Sequence, residues 1–315
     1  MAGQSTSTLS ALLQPNVDRK LADLLYRETD YLNFLRMNGR VSDLAGPSPH
    51  AWNIVTDNND STETYAEGQA PPAADKQTYV QTSLSHFRVR GVFGRTGDQR
   101  DNEAKANAYY TPPQATEQEL ASSDVMKALE DQLVGSTQDR GYASIIDATG
   151  TYAGLSQSTY SIWASQEDGT IGTLGIDNLE DLYKELRAGV TSGIDRNAKP
   201  THVLMPINQA TNYGRTVGTG AATSLYRFTP GQAFDPGMIA PGMFFNTLPI
   251  VIINGQTSTE IYMVDVTDIE LLIVRDLRID PITGNPEMES FQVSTHVMHK
   301  VKRRNKHGKL TGVTA

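Results

Sequence analysis

Few residues in this 315-residue chain have the types and spacing that chemistry requires. His296 and His299 stand three apart, with no carboxylate pair at ligand spacing beside them. In a strand, that spacing turns the two rings to opposite faces, which argues against a shared metal ion. Ser156 follows Gly154-Leu155, and Thr191-Ser192-Gly193 is a loose echo of a nucleophile elbow at a helix end. A serine nucleophile needs a histidine base, and none is near in sequence, so a Ser/His/Asp site would have to assemble in space. Asp265 and Asp268 fall between two apolar runs, where acidic turn residues are the default. Gly218-Thr219-Gly220 lacks the third glycine of a dinucleotide fingerprint, and neither a G-x-x-x-x-G-K-[ST] loop nor an H-E-x-x-H helix occurs. The absence of cysteine removes disulfides, thiolate metal sites and thiol nucleophiles together. The sequence therefore assigns no catalytic residue, no metal ligand and no cofactor, and predicts that the protein is not an enzyme.

The elements that would position such residues alternate without a regular βαβ period, which favours an α+β fold. Residues 1–48 read as an arm: a small polar start, then Val17, Leu21, Leu24, Leu25, Leu32 and Leu35 at roughly helical spacing, closed by Gly46-Pro47-Ser48-Pro49. Residues 49–94 form two extended arms around a polar tip. Trp52, Ile54 and Thr56 alternate on the way out, the paired Pro71-Pro72 forbids helix, and Tyr79 to Phe93 alternates on the way back. A hairpin this polar has no core of its own and calls for another molecule to lie on. The pair Thr116 and Glu119 forms a capping box for a long helix from Glu117 to Gly135. A second helix starts at Asp177 and carries Leu179, Leu182, Tyr183, Leu186 and Val190 on one stripe. Beyond it the spacing predicts strands at His202–Met205, Leu248–Ile253, Glu260–Val264, Ile269–Val274 and Phe291–Met298, with a short helix or turn over 206–215 and a glycine-rich stretch over 214–242.

Charge is unevenly spread. The formal net charge is −9, yet Lys300, Lys302, Arg303, Arg304, Lys306 and Lys309 fall within ten residues that hold no acid. The remainder has 21 basic and 36 acidic side chains, a net −15. This pattern predicts an acidic body with a basic C-terminal tail, whose partner is either nucleic acid or an acidic neighbouring subunit. No early apolar run has the basic start and length of a secretory signal, and Leu248–Ile253 is far short of the ~18 residues of a membrane span. The expectation is a protein made and used in the cytoplasm, with no membrane partner.

The order of these elements resembles the major capsid proteins of tailed bacteriophages with the HK97-type fold, and among them the SU10-like family. Trp52, Glu67-Gly68 and Gly154-Leu155 match that family's tryptophan opening the extended loop, its Glu-Gly pair and its Gly-Leu after the long helix. The resemblance implies an N-terminal arm over 1–48, an E-loop over 49–94 and a P-domain with its spine helix over 95–150. An A-domain would follow over 151–265, and returning P-domain strands with the basic tail over 266–315. It implies inter-subunit contacts at Trp52, Glu67, Lys76 and Tyr79, and an isopeptide crosslink through Lys76 to Asn285 or Asn305 as a minor prospect. The implied partners are copies of itself in pentamers and hexamers, a separate scaffolding protein, portal and decoration proteins, and packaged double-stranded DNA. The implied location is the virion, after assembly in the bacterial cytoplasm. An encapsulin-like compartment and a hydrolase with a spatially assembled site are the alternatives.

Overall fold

The computed structural model describes residues 29–44, 49–57, 64, 67, 70, 78–96, 113–147, 149–188, 198–219, 243–257, 259–282 and 288–314. The chain divides into two compact units. The larger is drawn from Glu28–Val89, Met126–Asp276 and Thr295–Ala315, and the smaller has its described residues in Arg90–Val125 and Leu277–Ser294.

The larger unit is built on a six-stranded mixed sheet with the order β10-β11-β9-β12-β15-β7. Its strands are β10 (Phe244–Phe245), β11 (Leu248–Ile252), β9 (His202–Met205), β12 (Ile261–Val264), β15 (Gly308–Leu310) and β7 (Gln166–Asp168). β9 and β11 run parallel with Val203 opposite Ile250, and β12 is antiparallel to β9 with Tyr262 opposite Leu204. Central strands buried on both faces must be apolar throughout, and β12 (Ile-Tyr-Met-Val) is buried at every position. Helix α4 (Ile176–Ala188) lays Leu179, Leu182 and Leu186 into the core with Val203, Met205, Ile250, Ile252, Met263 and Leu310. Gly308 permits this approach, because a Cβ there would stand 2.8 Å from Leu182 Cδ1 and 3.1 Å from Leu186 Cδ1. The first turn of α4 is closed by Asn178, whose Oδ1 accepts the Gly175 N–H at 2.9 Å. Helix α5 (Ile207–Thr219) adds Ala210 and Tyr213 to the same core and extends the expected short element by four residues.

A second, four-stranded sheet has the order β1-β13-β14-β4, from β1 (Val41–Asp43), β13 (Ile269–Ile282), β14 (Met288–Val301) and β4 (Phe87–Thr96). β1 joins β13 in parallel, with Val41 opposite Leu271. Both long strands outrun their predicted lengths. The added part of β13 is charged (Arg275, Asp276, Arg278, Asp280) and exposed at 276–278, so hydropathy could not report it. In the smaller unit, Phe93 and Phe291 stack at 5.3 Å between centroids. A Cβ at Gly91 would meet Val125 Cγ2 at 3.0 Å, so the glycine lets the long helix lie close on β4. That helix, α2, spans Pro113–Val134. It begins before the predicted capping box, with proline at its first position, where the missing N–H costs nothing. Thr116 therefore lies inside the helix.

The remaining elements are short: α1 (Asp30–Met37), α3 (Tyr142–Ile145), the ribbon β2 (His50–Asp57) with β3 (Thr78–Leu84), the hairpin β5 (Thr151–Tyr152) with β6 (Leu155–Ser156), and the pair β8 (Gly172–Thr173) with β16 (Val313–Thr314). The fold is thus α+β. The predicted returning arm Tyr79–Phe93 breaks at Ser85-His86, and its second half becomes β4 of another sheet. Much of the arm stripe (Val17 to Leu25) and the stretch 220–242 lie outside the described residues.

Candidate functional site

The described part of the extended loop is a two-stranded antiparallel ribbon, with His50 opposite Leu84, Trp52 opposite Thr82 and Val55 opposite Tyr79. A ribbon of two strands has too little core to stand alone. Its burial grades along its length. At the root, Leu84 and Thr82 are buried; at the far end, Val55 is 42% and Tyr79 61% exposed, side by side across the strands.

The root is held by its own chain. Thr82 Oγ1 donates to the carbonyl of Ala153, which sits in the turn between β5 and β6. Ala153 and Gly154 both have positive φ, at 49° and 79°, as this two-residue hairpin turn demands. The Ala153 N–H donates to Asp139 Oδ1 at 2.8 Å, which holds the strained alanine in place. Trp52 lies 6.4 Å from Tyr152 between ring centroids, His50 stacks on it at 6.1 Å, and Lys300 Nζ is 5.3 Å from its centroid. Lys300 Nζ also stands 2.9 Å from His50 Nε2. Burial and the lysine charge together lower the His50 pKa, so the ring accepts from the ammonium. Of the four predicted contact residues, Trp52 thus packs against its own chain, Glu67 and Tyr79 are exposed, and Lys76 lies outside the described residues.

The basic tail is corrected. Residues 300–309 are the end of β14, a 3₁₀ turn at Arg304–Lys306, and β15, in the two principal sheets. Lys300, Arg304 and Lys309 are buried. Lys302 Nζ pairs with Glu270 Oε1 at 2.6 Å and Lys300 Nζ with Glu270 Oε2 at 3.6 Å. Arg303 Nε donates to both oxygens of Asp268 at 2.9 Å, and Lys309 Nζ stands 3.3 Å from Glu167. Lys306 is half-buried in the turn. Arg304 is fully buried and gives its guanidinium to main-chain carbonyls: Nε to Ile145, Nη1 to Gly150 at 3.1 Å, and Nη2 to Asp147 at 2.6 Å and Ser144 at 3.4 Å. Burial lowers its pKa only to about 10, so it stays charged at neutral pH. The run is basic because carboxylates and carbonyls surround it within its own chain.

One polar cluster escaped the sequence reading. Glu130 of α2 is buried and its two carboxyl oxygens accept the Tyr31 and Leu32 N–H groups, at 2.6 and 2.9 Å. Those are the second and third residues of α1, whose own cap residue, Thr29, makes no side-chain bond. Burial raises the Glu130 pKa to about 7, against the pull of those two N–H donors. Tyr31 in turn bonds His299 Nε2 at 3.0 Å, and His299 Nδ1 stands 2.6 Å from the Arg140 carbonyl. The Nδ1–H therefore donates to that carbonyl, leaving Nε2 to accept from the tyrosine. Burial lowers the His299 pKa to about 4 and keeps the ring neutral. Its sequence neighbour His296 stacks instead on His86. Ser156 Oγ meets Ser158 Oγ at 2.7 Å on the surface, and Ser192 lies outside the described residues. Among the described residues, no group of three or more His, Cys, Asp or Glu is placed to hold a metal, and no helix is long and apolar enough to cross a membrane.

No family model and no curated protein matches the chain. Solved structures match it over essentially its whole length. The capsid asymmetric unit of cyanophage A-1(L) is 17% identical with a TM-score of 0.74, covering 97% of this chain and 98% of that one. The capsid of a native GTA particle is 12% identical with a TM-score of 0.65, covering all of both chains. The SrpI encapsulin of Synechococcus elongatus PCC 7942 is 11% identical with a TM-score of 0.61, covering 99% and 96%. The chain therefore has the HK97-type fold that capsids and encapsulins share.

Proposed function

We propose that this chain is the major capsid protein of a tailed bacteriophage, a structural and non-enzymatic subunit that assembles with copies of itself into an icosahedral head shell. The observation that carries this reading is the end-to-end match to a phage capsid subunit, in which neither chain has a domain left over. The ribbon supports it: a lone β-ribbon with an exposed Val55–Tyr79 pair at its far end is suited to lie on a neighbour. In this reading residues 1–48 are the N-arm, 49–94 the E-loop with its described strands β2 and β3, and 95–150 the P-domain with α2 as spine helix. Residues 151–265 are the A-domain and 266–315 the returning strands. SU10-like membership, pentamers and hexamers, packaged double-stranded DNA, and portal, scaffolding and decoration partners belong to the same proposal, as do assembly in the host cytoplasm and residence in the virion.

The encapsulin reading has its own support in the near-complete match to a protein compartment. Electron microscopy of the overexpressed, purified chain tests both. Closed shells or flat capsomer sheets are expected, and discrete monomers at high concentration would overturn the shell reading. Particles from the native source that hold a genome and a portal vertex support the phage reading; particles that hold a cargo protein support the other.

A further inference from the structure

Asn-Gly occurs twice in the chain, at Asn38-Gly39 and Asn254-Gly255. In such a pair the asparagine side-chain amide lies within reach of the next main-chain nitrogen, and glycine offers no Cβ to hinder the approach. The two pairs differ in why the glycine is present. Gly39 has φ 65° at the C-terminal exit of α1, a conformation that calls for glycine. Gly255 has no such positive φ. A Cβ on it would find Val134 Cγ1 at 3.7 Å, Asp131 Oδ1 at 3.8 Å and Lys127 Nζ at 3.9 Å, all ordinary contacts. Neither the backbone nor the packing therefore asks for glycine at 255.

Asn254-Gly255 forms the exposed turn that follows β11, closed by the Gln256 N–H on the Ile253 carbonyl at 3.3 Å. Water reaches both residues. Asn254 is also a joint. Its main-chain N–H and its Nδ2 both donate to Asp30 Oδ2, at 3.1 and 3.0 Å. Asp30 is the first residue of α1, and the next two N–H groups of that helix are held by Glu130. Asn254 thus ties the N-terminus of α1 to the six-stranded sheet.

We propose that Asn254-Gly255 is a self-modifying site whose product unlatches the first turn of α1. The Gly255 nitrogen gives up its proton, forms a bond to Asn254 Cγ and expels Nδ2 as ammonia, which closes a cyclic imide. Water then opens the imide. Cleavage between the Gly255 nitrogen and Cγ leaves aspartate, and cleavage between that nitrogen and the main-chain carbonyl carbon leaves isoaspartate. The net change is the gain of water and the loss of ammonia, with nothing oxidised or reduced. Ammonia lost to dilute solution does not return, so the step runs one way. Either product removes the Nδ2 donor and puts a carboxylate beside that of Asp30, so a hydrogen bond to a charged group gives way to a like-charge contact. The closed clasp restrains the Asn254 amide, and the reaction proceeds in copies whose clasp has opened.

The test is incubation of the full chain in neutral buffer. Peptide mass mapping reads the exchange of NH2 for OH at 254, and amide exchange reads the first turn of α1. Modification is expected to accumulate at Asn254, to speed up in Asp30→Ala, and to be lost in Gly255→Ala. The last variant should keep the wild-type melting temperature, because its Cβ is accommodated. Asn254→Asp should speed exchange at Tyr31 and Leu32 about 10- to 100-fold, the equivalent of one hydrogen bond to a charged group. Adding Asp30→Asn should restore protection, because donor and carboxylate have then changed places. Aged wild-type protein should show the same acceleration in proportion to its modified fraction, which reads the consequence even if Asn254→Asp fails to fold. An Asn254 that stays intact while an unstructured peptide containing Ile253–Gln256 reacts overturns the modification. Modified protein with unchanged exchange at Tyr31 and Leu32 overturns the unlatching. Each readout is made on the free subunit, so none depends on the shell reading.

Discussion

The ribbon over 50–84 and the basic run over 300–309 both read, in sequence, as surfaces waiting for a partner, and the structure separates them. The run is spent at home: Arg304 is fully buried on four carbonyls, and Lys300, Lys302, Arg303 and Lys309 face Glu270, Asp268 and Glu167. The ribbon is spent only at its root, and its far end leaves Val55 and Tyr79 uncovered. A cluster of like charge says that counter-charge is needed and does not say which chain supplies it. An exposed apolar pair on a two-stranded ribbon is better evidence of a partner, because contact with a second molecule would take that apolar surface out of water.

The comparison can be broken at four points, from the largest expected effect on the free subunit to the smallest. Arg304→Ala should cost about 3–5 kcal/mol, because it strips donors from buried carbonyls around Ser144–Gly150. Little soluble subunit should survive, and Arg304→Lys should not rescue it, since one ammonium cannot span those carbonyls. A soluble Arg304→Ala subunit with a native melting temperature would return the run to the surface.

His307 gives the second point. It is fully buried in the same run, and burial lowers its pKa to about 4. The unfolded chain binds the proton first, so the stability this neutral ring contributes is present above pH 6.5 and is lost as pH falls through about 4. His307→Gln should flatten that acid limb by about 3 kcal/mol in urea melts taken between pH 7 and 4. His299 contributes a parallel loss, and Glu130 runs the other way: its raised pKa favours the folded state below pH 4.5 and loses that contribution as pH rises through about 7.

Trp52→Ala, at the root, should cost about 3 kcal/mol and loosen the ribbon, read as faster amide exchange in Thr78–Leu84. Tyr79→Ser with Val55→Ser, at the far end, should shift the free subunit by no more than about 0.5 kcal/mol. In the same variant assembly should fail. A double variant that assembles normally would place the partner surface elsewhere.

What the sequence reveals follows the same line. The strands Leu248–Ile252 and Ile261–Val264 and the stripe of α4 are legible because local apolar pattern decides them. Leu32 and Leu35 correctly mark α1, and both are buried. The added part of β13, exposed at 276–278, is not legible, because polar residues extend a strand without an apolar signal. The root of the ribbon is legible as alternation, yet the break at Ser85-His86 is not, since the alternating pattern runs straight across two sheets. The partners of Lys302, Arg303 and Arg304 are set by strand order, and no spacing rule gives that. Glu130 is invisible for the same reason: on its own helix it is one charged residue among several.

That carboxylate also sets a clock. Helix α1 has eight residues, too few to persist alone, and the group that closes its N-terminus is 99 positions further along the chain at Tyr31 and 98 at Leu32. At roughly 5–20 residues per second of synthesis, α1 leaves the ribosome about 5–20 s before its cap exists. Until then the segment that leads into the body of the subunit has nothing to hold its first turn. Docking of α1 therefore reports completion of α2, and a nascent chain halted before residue 130 should show no protection at Tyr31 and Leu32.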